Sequence, residues 1–527
     1  MTDDKLIKQI EELIDIGIAL SNEKNSEALL EKILLCAKSI TGADGGTLYR
    51  TEPNEMQIAI IHSDSLNINL GGSSGKSVDF SGVPLYNDDQ SPNLDHVVTY
   101  SFHKQTTVNV HDVYAHTDNF DFSGPKEFDR LYNYRTKSLL TVPLKNHEGD
   151  IIGVLQLVNA IDPQTAEVTT FDGISQKITL AMASQAAIVL TQQQLINDLE
   201  KLFQSLVKLV ATAIDQKSPY TGAHSRRVPV LTMMLAEAVH ETQTGCFKDF
   251  SLTDADRYEL EIAAWLHDCG KITTPEYVMD KTTKLETIFD RINLVETRFE
   301  LLKRDKEIEL LQQKIKALEA GKPWDVSLEN DYQRSLAQID DDLAFVKRVN
   351  IGGESMSADD LAHIEQLRAC TWRLGQQTLP LLLDDEAYNL SVVRGTLTRE
   401  EREIINHHVV VSIAMLESIE FPKHLKNVPE YAGGHHEKMD GTGYPRGLRR
   451  DQMSVQARIM GIADIFEALM DSDRPYKKGK KLSEALAILK RMKDNDHIDP
   501  DLYDVFIEKG VYKKYAEQYV DAEQIDL

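Results

Sequence analysis

Cysteine is scarce in this sequence of 527 residues, which has only four: Cys36, Cys246, Cys269 and Cys370. They lie far apart and form no Cys-x-x-Cys pair. Disulfide frameworks need many cysteines, and thiolate zinc sites need closely spaced ones. The sequence therefore predicts neither feature, and we expect a protein of a reducing compartment.

Long apolar runs are missing as well. A membrane span takes about 18 or more consecutive apolar residues. The stretch 409–416, among the longest here, contains Ser412. The first residues, Met-Thr-Asp-Asp-Lys, lack the basic and apolar segments of a signal peptide. We therefore expect a soluble, cytoplasmic protein with no membrane partner.

Positive charge is also in deficit: 58 Lys and Arg stand against 84 Asp and Glu, so the net charge is −26 at pH 7. A surface this negative repels phosphate backbones and anionic membranes. Duplex nucleic acid is therefore not an expected partner. An anionic substrate would have to bind where the negative charge is offset locally, by metal ions or by a few clustered Lys and Arg side chains.

The region up to about residue 190 mixes helical and strand periodicities. Apolar spacing predicts helices over 6–20, Ser26–Thr41 and about 174–196. Two β-rich runs, 139–144 and 151–158, flank a short polar turn with Gly149, and this pattern predicts a hairpin. The expected fold is α+β, with an antiparallel sheet and helices.

Three stretches in this region carry a family resemblance: Ile40-Thr-Gly-Ala-Asp-Gly-Gly-Thr-Leu-Tyr, Asn109-Val-His-Asp-Val-Tyr and Ser138-Leu-Leu-Thr-Val-Pro-Leu. With them, residues of about 15–190 resemble a GAF domain. The resemblance implies a sensor domain over 1–190 that binds an unknown small ligand. Relatives that bind cyclic nucleotides carry an Asn-Lys…Phe…Asp-Glu pattern. Here Asn159 precedes Ala160 and Phe171 precedes Asp172, so the match is partial.

A heptad-like apolar seam follows, with steps of 4, 3, 4, 3 and 4 residues: Leu195, Leu199, Leu202, Leu206, Leu209 and Ala213. This is the a/d alternation of a coiled coil. It predicts a linker helix over 191–215 and a homodimer that pairs through Leu195, Leu199, Leu202 and Leu206. The alternative is a helix that packs this stripe on its own domain.

In the second region, of about 200–527, the sequence predicts helices and no strands. Within it, the segment of about 285–400 has two long apolar stripes, the second ending at Gly352-Gly353. Ser357 with Asp360 is then a capping-box signature for another helix. We interpret this segment as a helical hairpin inserted into an all-α domain. It could shield an active site or join a dimer interface.

Histidines and carboxylates recur in apolar helical contexts after residue 220: His224, His267-Asp268, His408, His435-His436 and Asp464. A lone buried histidine is more often a core residue than a ligand. A lone Asp in an apolar helix can cap a backbone group or pair with Arg. Several such groups together favour a divalent metal, because one ion satisfies many of them. Mixed His and Asp without Cys suits Fe, Mn, Zn or Co.

These residues stand in recognisable motifs. His267-Asp268 continues to Lys271, and Gly443-Tyr444-Pro445 lies within His435-His-Glu-Lys-Met-Asp-Gly-Thr-Gly-Tyr-Pro. Together with Ile462-Ala-Asp and Arg474-Pro-Tyr, they make residues of about 200–284 and 397–510 resemble the HD-GYP subgroup of HD-domain phosphohydrolases. The resemblance implies metal-dependent hydrolysis of cyclic di-GMP to pGpG or onward to GMP.

The resemblance also implies a ligand set for two divalent transition-metal ions, Fe or Mn: His224, His267, Asp268, His408, His435, His436 and Asp464. Between His407 and His408 we choose His408, because Leu416 stands eight residues after it, as the family pattern requires. Asp268 would bridge the two ions, which together deprotonate a shared water.

The implied substrate contacts are Lys271, Asp440, Gly443, Tyr444, Pro445, Arg474 and Lys477. Lys271 would act in catalysis beside Asp268. Its alternative role, like that of Arg474, is a structural ion pair.

The sequence departs from the family pattern at three points. Some relatives carry a Glu four residues before the first ligand His and bind a third metal; here that residue is Tyr220, which favours two metals. The His-Pro-x-x-Gly of the family is His408-Val-Val-Val-Ser412 here, and the insertion separates Asp268 from His408. Two alternatives stay open: a non-catalytic protein that binds cyclic di-GMP, and a hydrolase of another cyclic nucleotide or dinucleotide.

Overall fold

The structure is a computed structural model that describes residues 26–115, 120–217, 224–242, 244–353, 355–471 and 479–527. The predicted helix 6–20 lies outside these ranges, as do Tyr220, Arg474 and Lys477. The chain divides into two units, Met1–Leu202 and Phe203–Leu527.

The first unit is built on one antiparallel sheet. Its strands are β1 Ala43–Thr51, β2 Glu55–Ser63, β3 Ile68–Gly71, β4 Val83–Pro84, β5 Val108–Val110, β6 Leu139–Lys145, β7 Ile151–Ile161 and β8 Val168–Thr169. The order is β3-β2-β1-β7-β6-β5, with β4 on β2 and β8 on β7. The predicted hairpin is β6–β7, in which Leu139 pairs with Val158.

The helices that accompany the sheet are α1 Ser26–Thr41, α2 Val97–Lys104 and α3 Ser123–Tyr132. The long helix α4 Gly173–Lys217 follows the last strand. The predicted apolar face of α1 is buried, as its period of three and four residues requires: Leu29, Leu30, Ile33, Leu34 and Ala37. On α4, Met182, Ala183, Ala186 and Ala187 join the same core. The α+β fold with an antiparallel sheet is therefore confirmed.

Helix α4 is longer than the predicted helix of about 174–196, and it includes the whole linker segment. The seam leucines are strongly exposed: Leu195 57%, Leu199 56%, Leu202 56%, Leu206 50% and Leu209 63%. A different face of α4 is buried in the second unit through Val207, Ala211 and Ile214. The seam is therefore not the face that packs on its own domain.

The second unit is mostly helical. Its helices are α5 His224–His240, α6 Asp254–Leu266, α7 Glu276–Met279, α8 Ile292–Glu319, α9 Val326–Asn350, α10 Ala358–Ala369, α11 Asp384–Leu390, α12 Arg399–Asn406, α13 His408–Glu417, α14 Val428–Gly433, α15 Val455–Met470, α16 Leu482–Asp494, α17 Pro500–Glu508 and α18 Val511–Tyr519. One apolar core joins α5, α6, α14 and α15 through Leu231, Leu260, Ala432 and Ile462.

The inserted segment has a separate core, in which Val295 and Phe299 of α8 meet Leu343 and Val346 of α9. The capping box predicted at Ser357 is present, since its hydroxyl accepts from the backbone N–H of Asp360 at 3.0 Å. These facts fit the predicted helical hairpin.

The expectation of no strands in the second region is wrong at one point. A two-stranded hairpin, β9 Thr371–Leu374 and β10 Gln377–Pro380, lies in the insertion. Strands of four residues are too short to show a clear period of two. The turn uses Gly375, whose φ of 62° lies in the left-handed region that favours glycine. Among the described residues, the chain has no helix long and apolar enough to cross a membrane.

Candidate metal centre

Most of the candidate ligands lie at or next to helix ends, which come together in one place in the second unit. His224 opens α5 and His408 opens α13. His267 and Asp268 directly follow α6, and His435 and His436 come just after α14. Asp464 lies inside the apolar helix α15 and is 8% exposed. The structure therefore brings together all seven residues proposed as ligands from the sequence.

The side chains form two groups around Asp268. Ligand atoms of His224, His267 and Asp268 lie within 4.8 Å of one another, and those of His408, His435 and His436 form a second such set. Asp268 Oδ2 is 3.2 Å from His267 Nε2 and 3.8 Å from His224 Nε2. Asp268 Oδ1 is 3.1 Å from His408 Nε2 and 4.0 Å from His435 Nε2. Each carboxylate oxygen thus faces one group.

Asp464 belongs to the first group. Its Oδ1 atom lies 3.1 Å from His224 Nε2 and 3.8 Å from His267 Nε2. In the second group, the ring centroid of His436 is 4.2 Å from that of His435 and 5.3 Å from that of His408. The neighbouring His407 is exposed, whereas His408 is buried.

Backbone carbonyls fix the orientation of three imidazoles. The Nδ1–H groups of His267, His408 and His435 donate to the carbonyl three residues earlier, at 2.7, 2.5 and 2.5 Å. Their Nε2 atoms are therefore the ring nitrogens left to bind a metal. A hydrogen bond from the distal nitrogen is the usual way to orient a metal-binding histidine.

The unpaired atoms of this cluster test whether a metal fits. Nε2 of His267, His408 and His435 and Oδ1 of Asp268 are buried and have no hydrogen-bond partner. Buried polar atoms are rarely left unpaired, because the lost hydration is costly. A cation at each group would satisfy these atoms, and nitrogen with carboxylate ligands suits a divalent transition metal. The residues present therefore fit the metals that the motifs imply.

Glu467 is a buried residue of this centre that was not predicted from the sequence. It is 1% exposed and forms a short contact with Nδ1 of His224. Glu467 also pairs with Nε of Arg227 at 2.7 Å, while Nη2 of Arg227 lies 2.7 Å from Asp471. Asp464, Glu467 and Asp471 follow one face of an apolar helix at steps of three and four residues. That spacing was an available signal.

Two segments of the chain match known protein families. A model described as the GAF domain matches residues 25–190, and one described as the HD domain matches residues 369–502. The chain combines a GAF domain with an HD-GYP domain. His224, His267 and Asp268 stand before the matched HD segment, which begins inside the insertion predicted over about 285–400.

Curated relatives cover parts of the chain. The 3′3′-cGAMP-specific phosphodiesterase 3 of Vibrio cholerae is 25% identical over 332 residues, which are 63% of this chain and 42% of the relative. A probable cyclic di-GMP phosphodiesterase of the same organism is 36% identical over 141 residues, 26% of this chain and 32% of the relative. A cyclic di-GMP phosphodiesterase of Thermotoga maritima is 35% identical over 126 residues, 24% of this chain and 33% of the relative. The chain thus spans less than half the length of each.

The two halves of the HD-GYP centre differ in electrostatics. Burial opposes a charged His224, but hydrogen bonds to Asp464 and Glu467 raise its pKa to about 9. Burial likewise opposes a charged His267, yet Asp268 and Asp464 raise its pKa to about 10. Burial lowers the pKa of His436 to about 4. Burial also lowers the pKa of His435. One half is therefore rich in carboxylates, whereas in the other half His435 and His436 favour the neutral imidazole.

Lys271 and Gly270 tie the turn after Asp268 to the start of α13. The Lys271 ammonium lies 2.5 Å from Asp268 Oδ2, and with His267 it holds the pKa of Asp268 well below its ordinary value despite burial. The backbone N–H of Gly270 donates to the Ser412 hydroxyl at 2.8 Å. A Cβ on Gly270 would lie 2.0 Å from the carbonyl oxygen of His408. Ser412 stands where the family pattern has Gly, and its hydroxyl thus accepts a hydrogen bond from a backbone N–H.

The Gly-Tyr-Pro loop, residues 443–445, packs against the second histidine group. The Tyr444 ring stacks on His436, with centroids 4.8 Å apart and 20° between the planes. A Cβ on Gly443 would lie 2.3 Å from the backbone nitrogen of Lys438, so only glycine allows this close approach. Pro445 directly follows Tyr444. The loop thereby limits how the His436 ring can turn.

Two carboxylates organise the backbone of this loop. Asp440 is exposed, and its Oδ1 accepts from the backbone N–H and the hydroxyl of Thr442, both at 2.8 Å. Glu437 is 4% exposed and accepts from the backbone N–H groups of Arg446 and Leu448 at 2.7 and 2.9 Å. The role of Glu437 was not expected from sequence.

Proposed function

We propose that this protein is a sensor-regulated, metal-dependent phosphodiesterase that hydrolyses cyclic di-GMP to pGpG, with GMP as the product of further cleavage. The observation that carries the proposal is the placement of Asp268, whose two carboxylate oxygens face two separate histidine groups. The buried, unpaired Nε2 atoms around it supply the remaining donors. This is the arrangement that a pair of divalent cations sharing one carboxylate requires.

The residues of the chain have distinct tasks in this reaction. Two bound cations would supply an activated water and neutralise charge on the phosphoryl group. The proposed ligands for them are His224, His267, Asp268, His408, His435, His436 and Asp464. Asp268 would offer one carboxylate oxygen to each cation, and Glu467 orients His224 through its contact with Nδ1.

The substrate side needs positive charge, because the chain as a whole carries −26. Lys271 is the cation next to Asp268 and is 18% exposed, so it can meet a phosphate oxygen. Arg474 and Lys477 are proposed as further phosphate contacts from the sequence alone. Tyr444, with Asp440, Gly443 and Pro445, would form the loop against which the dinucleotide lies.

We further propose a division of the chain into a sensor over 1–190, a linker over 191–215 and the HD-GYP domain over 216–527. The exposed leucine seam of α4 supports a homodimer. We propose an unknown small molecule as the ligand of the sensor. We also propose a cytoplasmic location, with neither duplex nucleic acid nor a membrane among the partners, and the net charge of −26 supports the exclusion of both.

A second candidate substrate is 3′3′-cGAMP. The relative that aligns with 63% of this chain is a phosphodiesterase specific for that dinucleotide. Cyclic di-GMP and 3′3′-cGAMP differ in one base, whereas the centre described here acts on the phosphodiester that both share. A purely binding role is disfavoured, because the complete set of donors is assembled.

The test is a direct turnover assay. Protein loaded anaerobically with Mn²⁺ or Fe²⁺ is incubated with each dinucleotide separately, and the products are separated by chromatography. We expect pGpG from cyclic di-GMP with the intact protein and none with Asp268→Asn. Faster cleavage of 3′3′-cGAMP would favour the second substrate. Tight binding of cyclic di-GMP without cleavage would contradict the enzyme proposal.

A further inference from the structure

A cavity of about 500 Å³ lies within the first unit, on the face of the sheet opposite to the core that α1 and α4 cover. Side chains alternate along a strand, so Leu48 of β1 joins that core while Thr47 lines the cavity. Thr47 pairs with Gln156 of β7, which also lines the cavity. Helices α2 and α3 contribute Val98 and Phe128 to the other walls. The volume suits a small molecule.

The charge of the cavity wall disfavours phosphate. Among the described residues that line the cavity, none is Lys or Arg, and the acidic ones, Asp121 and Glu127, are exposed. Lys38 lies 2.6 Å from His62 Nδ1, but it is 4% exposed and already pairs with Asp64 at 3.0 Å. Burial and Lys38 lower the pKa of His62, so that ring is mainly neutral at pH 7. A phosphate group in the cavity would therefore lack the cationic donors that usually bind it.

Three polar side chains of the wall already have partners within the protein. The Tyr134 hydroxyl donates to Asp44 Oδ2 at 2.6 Å, and the Ser63 hydroxyl donates to the same atom at 3.2 Å. Gln156 Nε2 donates to the Thr141 hydroxyl at 3.1 Å. Groups that are already paired do not require polar groups on a ligand.

The two residues that partially match the cyclic nucleotide pattern, Asn159 and Phe171, are not among those that line the cavity. Asn159 is 2% exposed, and its Oδ1 accepts from the backbone N–H groups of Lys137 and Ser138 at 2.7 and 3.2 Å. Phe171 is buried in the core on the side of α1 and α4. Both side chains therefore serve the fold of the first unit.

Aromatic and aliphatic side chains line much of the cavity. Phe80, Phe122 and Phe128 contribute rings, and the ring centroids of Phe80 and Phe128 are 6.3 Å apart. Phe80 is 36% exposed and Leu131 is 63% exposed, although both line the cavity. Exposed apolar side chains around a concave site favour an apolar occupant that covers them.

We propose that this cavity binds an uncharged, ring-containing small molecule, and that it does not bind a cyclic nucleotide or another phosphate ester. Removal of the apolar wall and of the ring from water supplies the affinity. This inference rests on the sensor role proposed above and names the chemical class of the sensor's ligand.

The test measures binding to the full chain and needs no turnover. The probe is indole, an uncharged aromatic compound, and its binding is followed by saturation-transfer NMR as its concentration is raised. We expect a dissociation constant below about 1 mM, which a ligand with so few atoms can reach in an apolar pocket. Cyclic AMP and cyclic GMP, each added in excess, should not displace indole.

Two variants block the cavity in different ways. Thr47→Asp places a charge on its floor and should weaken indole binding by roughly tenfold or more, because the bound ring would strip water from the carboxylate. Val158→Trp places an indole ring of the protein itself at a residue that lines the cavity, and this tethered ring should compete with the free probe. Circular dichroism verifies that each variant folds.

Two further variants are controls. Thr47→Val keeps the shape of the side chain without its hydroxyl and should bind indole at least as tightly as the intact protein. Thr106→Asp adds the same charge at an exposed residue of the first unit that does not line the cavity, and it should bind indole like the intact protein.

The outcomes separate this inference from the proposed function. Equal indole binding in the intact protein and in folded Thr47→Asp and Val158→Trp would overturn the inference. Absence of indole binding, its loss in folded Thr47→Val, or displacement of indole by cyclic AMP or cyclic GMP would also overturn it. None of these results depends on hydrolysis of cyclic di-GMP. Failure of the proposed function would show instead as intact protein that cleaves neither dinucleotide.

Discussion

Asp268 Oδ1 lies 3.1 Å from Nε2 of His408, although the whole insertion separates these two residues in the sequence. The contact joins the half of the HD-GYP centre that precedes the insertion to the half that follows it. The hydrogen bond from Gly270 to Ser412 fixes the same junction through the backbone. The insertion can therefore be long without disturbing the centre, because both of its ends return to one place.

The two adjacent histidines at the start of α13 provide the sharpest test of the ligand set. His408→Ala removes a buried donor that faces Asp268 and should lower the number of tightly bound metal ions by about one. His407→Ala is the matched control, since His407 is exposed and only one position away. Elemental analysis after dialysis measures both. Equal metal loss in the two variants would show that the choice of His408 as the ligand is wrong.

Gly270 should tolerate no side chain. In Gly270→Ala the added Cβ would lie 2.0 Å from the His408 carbonyl and 2.6 Å from the Ser412 nitrogen, both backbone atoms that cannot move away cheaply. We expect a loss of roughly 3 kcal/mol in the free energy of unfolding. Urea denaturation followed by tryptophan fluorescence measures it.

Gly353→Ala is the control for this substitution, because the nearest atom to its added Cβ is 4.0 Å away. It should change the unfolding free energy by less than about 1 kcal/mol. A Gly270→Ala protein as stable as Gly353→Ala would show that the turn after Asp268 and α13 do not meet as described.

Much of the fold was accessible from local patterns. The apolar face of Ser26–Thr41 and the hairpin of β6 and β7 follow from periodicities within a few residues, and both are present. The motifs pointed to seven side chains that the structure assembles in one cluster. The hairpin Thr371–Pro380 was missed because its strands are too short to show a pattern.

Other features depend on contacts distant in the sequence. No local signal shows that Ser412 accepts from Gly270, or that Lys217 meets the carbonyls after Asp268. Glu467 could have been found, since it repeats the spacing of Asp464 along an apolar helix.

Lys284 should make the stability of the second unit depend on pH. It is 1% exposed, its ammonium donates to the Leu390 carbonyl at 2.8 Å, and burial lowers its pKa from 10.5 to about 8. Between these two values the unfolded chain binds more protons than the folded chain. The contribution of Lys284 to the unfolding free energy therefore rises with pH from about 8 to 10.5.

The Lys284→Met variant removes this effect. At pH 7 it should exceed the intact protein in unfolding free energy by roughly 2 kcal/mol, because a buried charge is lost. At pH 10 the advantage should largely disappear. Urea denaturation of both proteins at each pH measures the difference, in which other titrating groups cancel. A difference that does not change with pH would contradict the assignment.

The seam of α4 should hold two chains together. Replacing Leu199 and Leu206 by Asp places charges on a stripe where both leucines are at least half exposed in one chain. Sedimentation velocity should show a dimer for the intact protein and a monomer for the double variant. Ile351→Asp, at a residue 68% exposed outside the seam, should remain dimeric. Identical sedimentation of all three proteins would place the interface elsewhere.

The most direct test of the central claim is the rate of pGpG formation from cyclic di-GMP before and after metal removal. The claim is that Asp268 holds two cations that carry out the hydrolysis. Chelated protein should form no pGpG, and added Mn²⁺ should restore the rate in the intact protein while Asp268→Asn stays inactive. An undiminished rate in excess chelator, or full activity of Asp268→Asn, would contradict the claim.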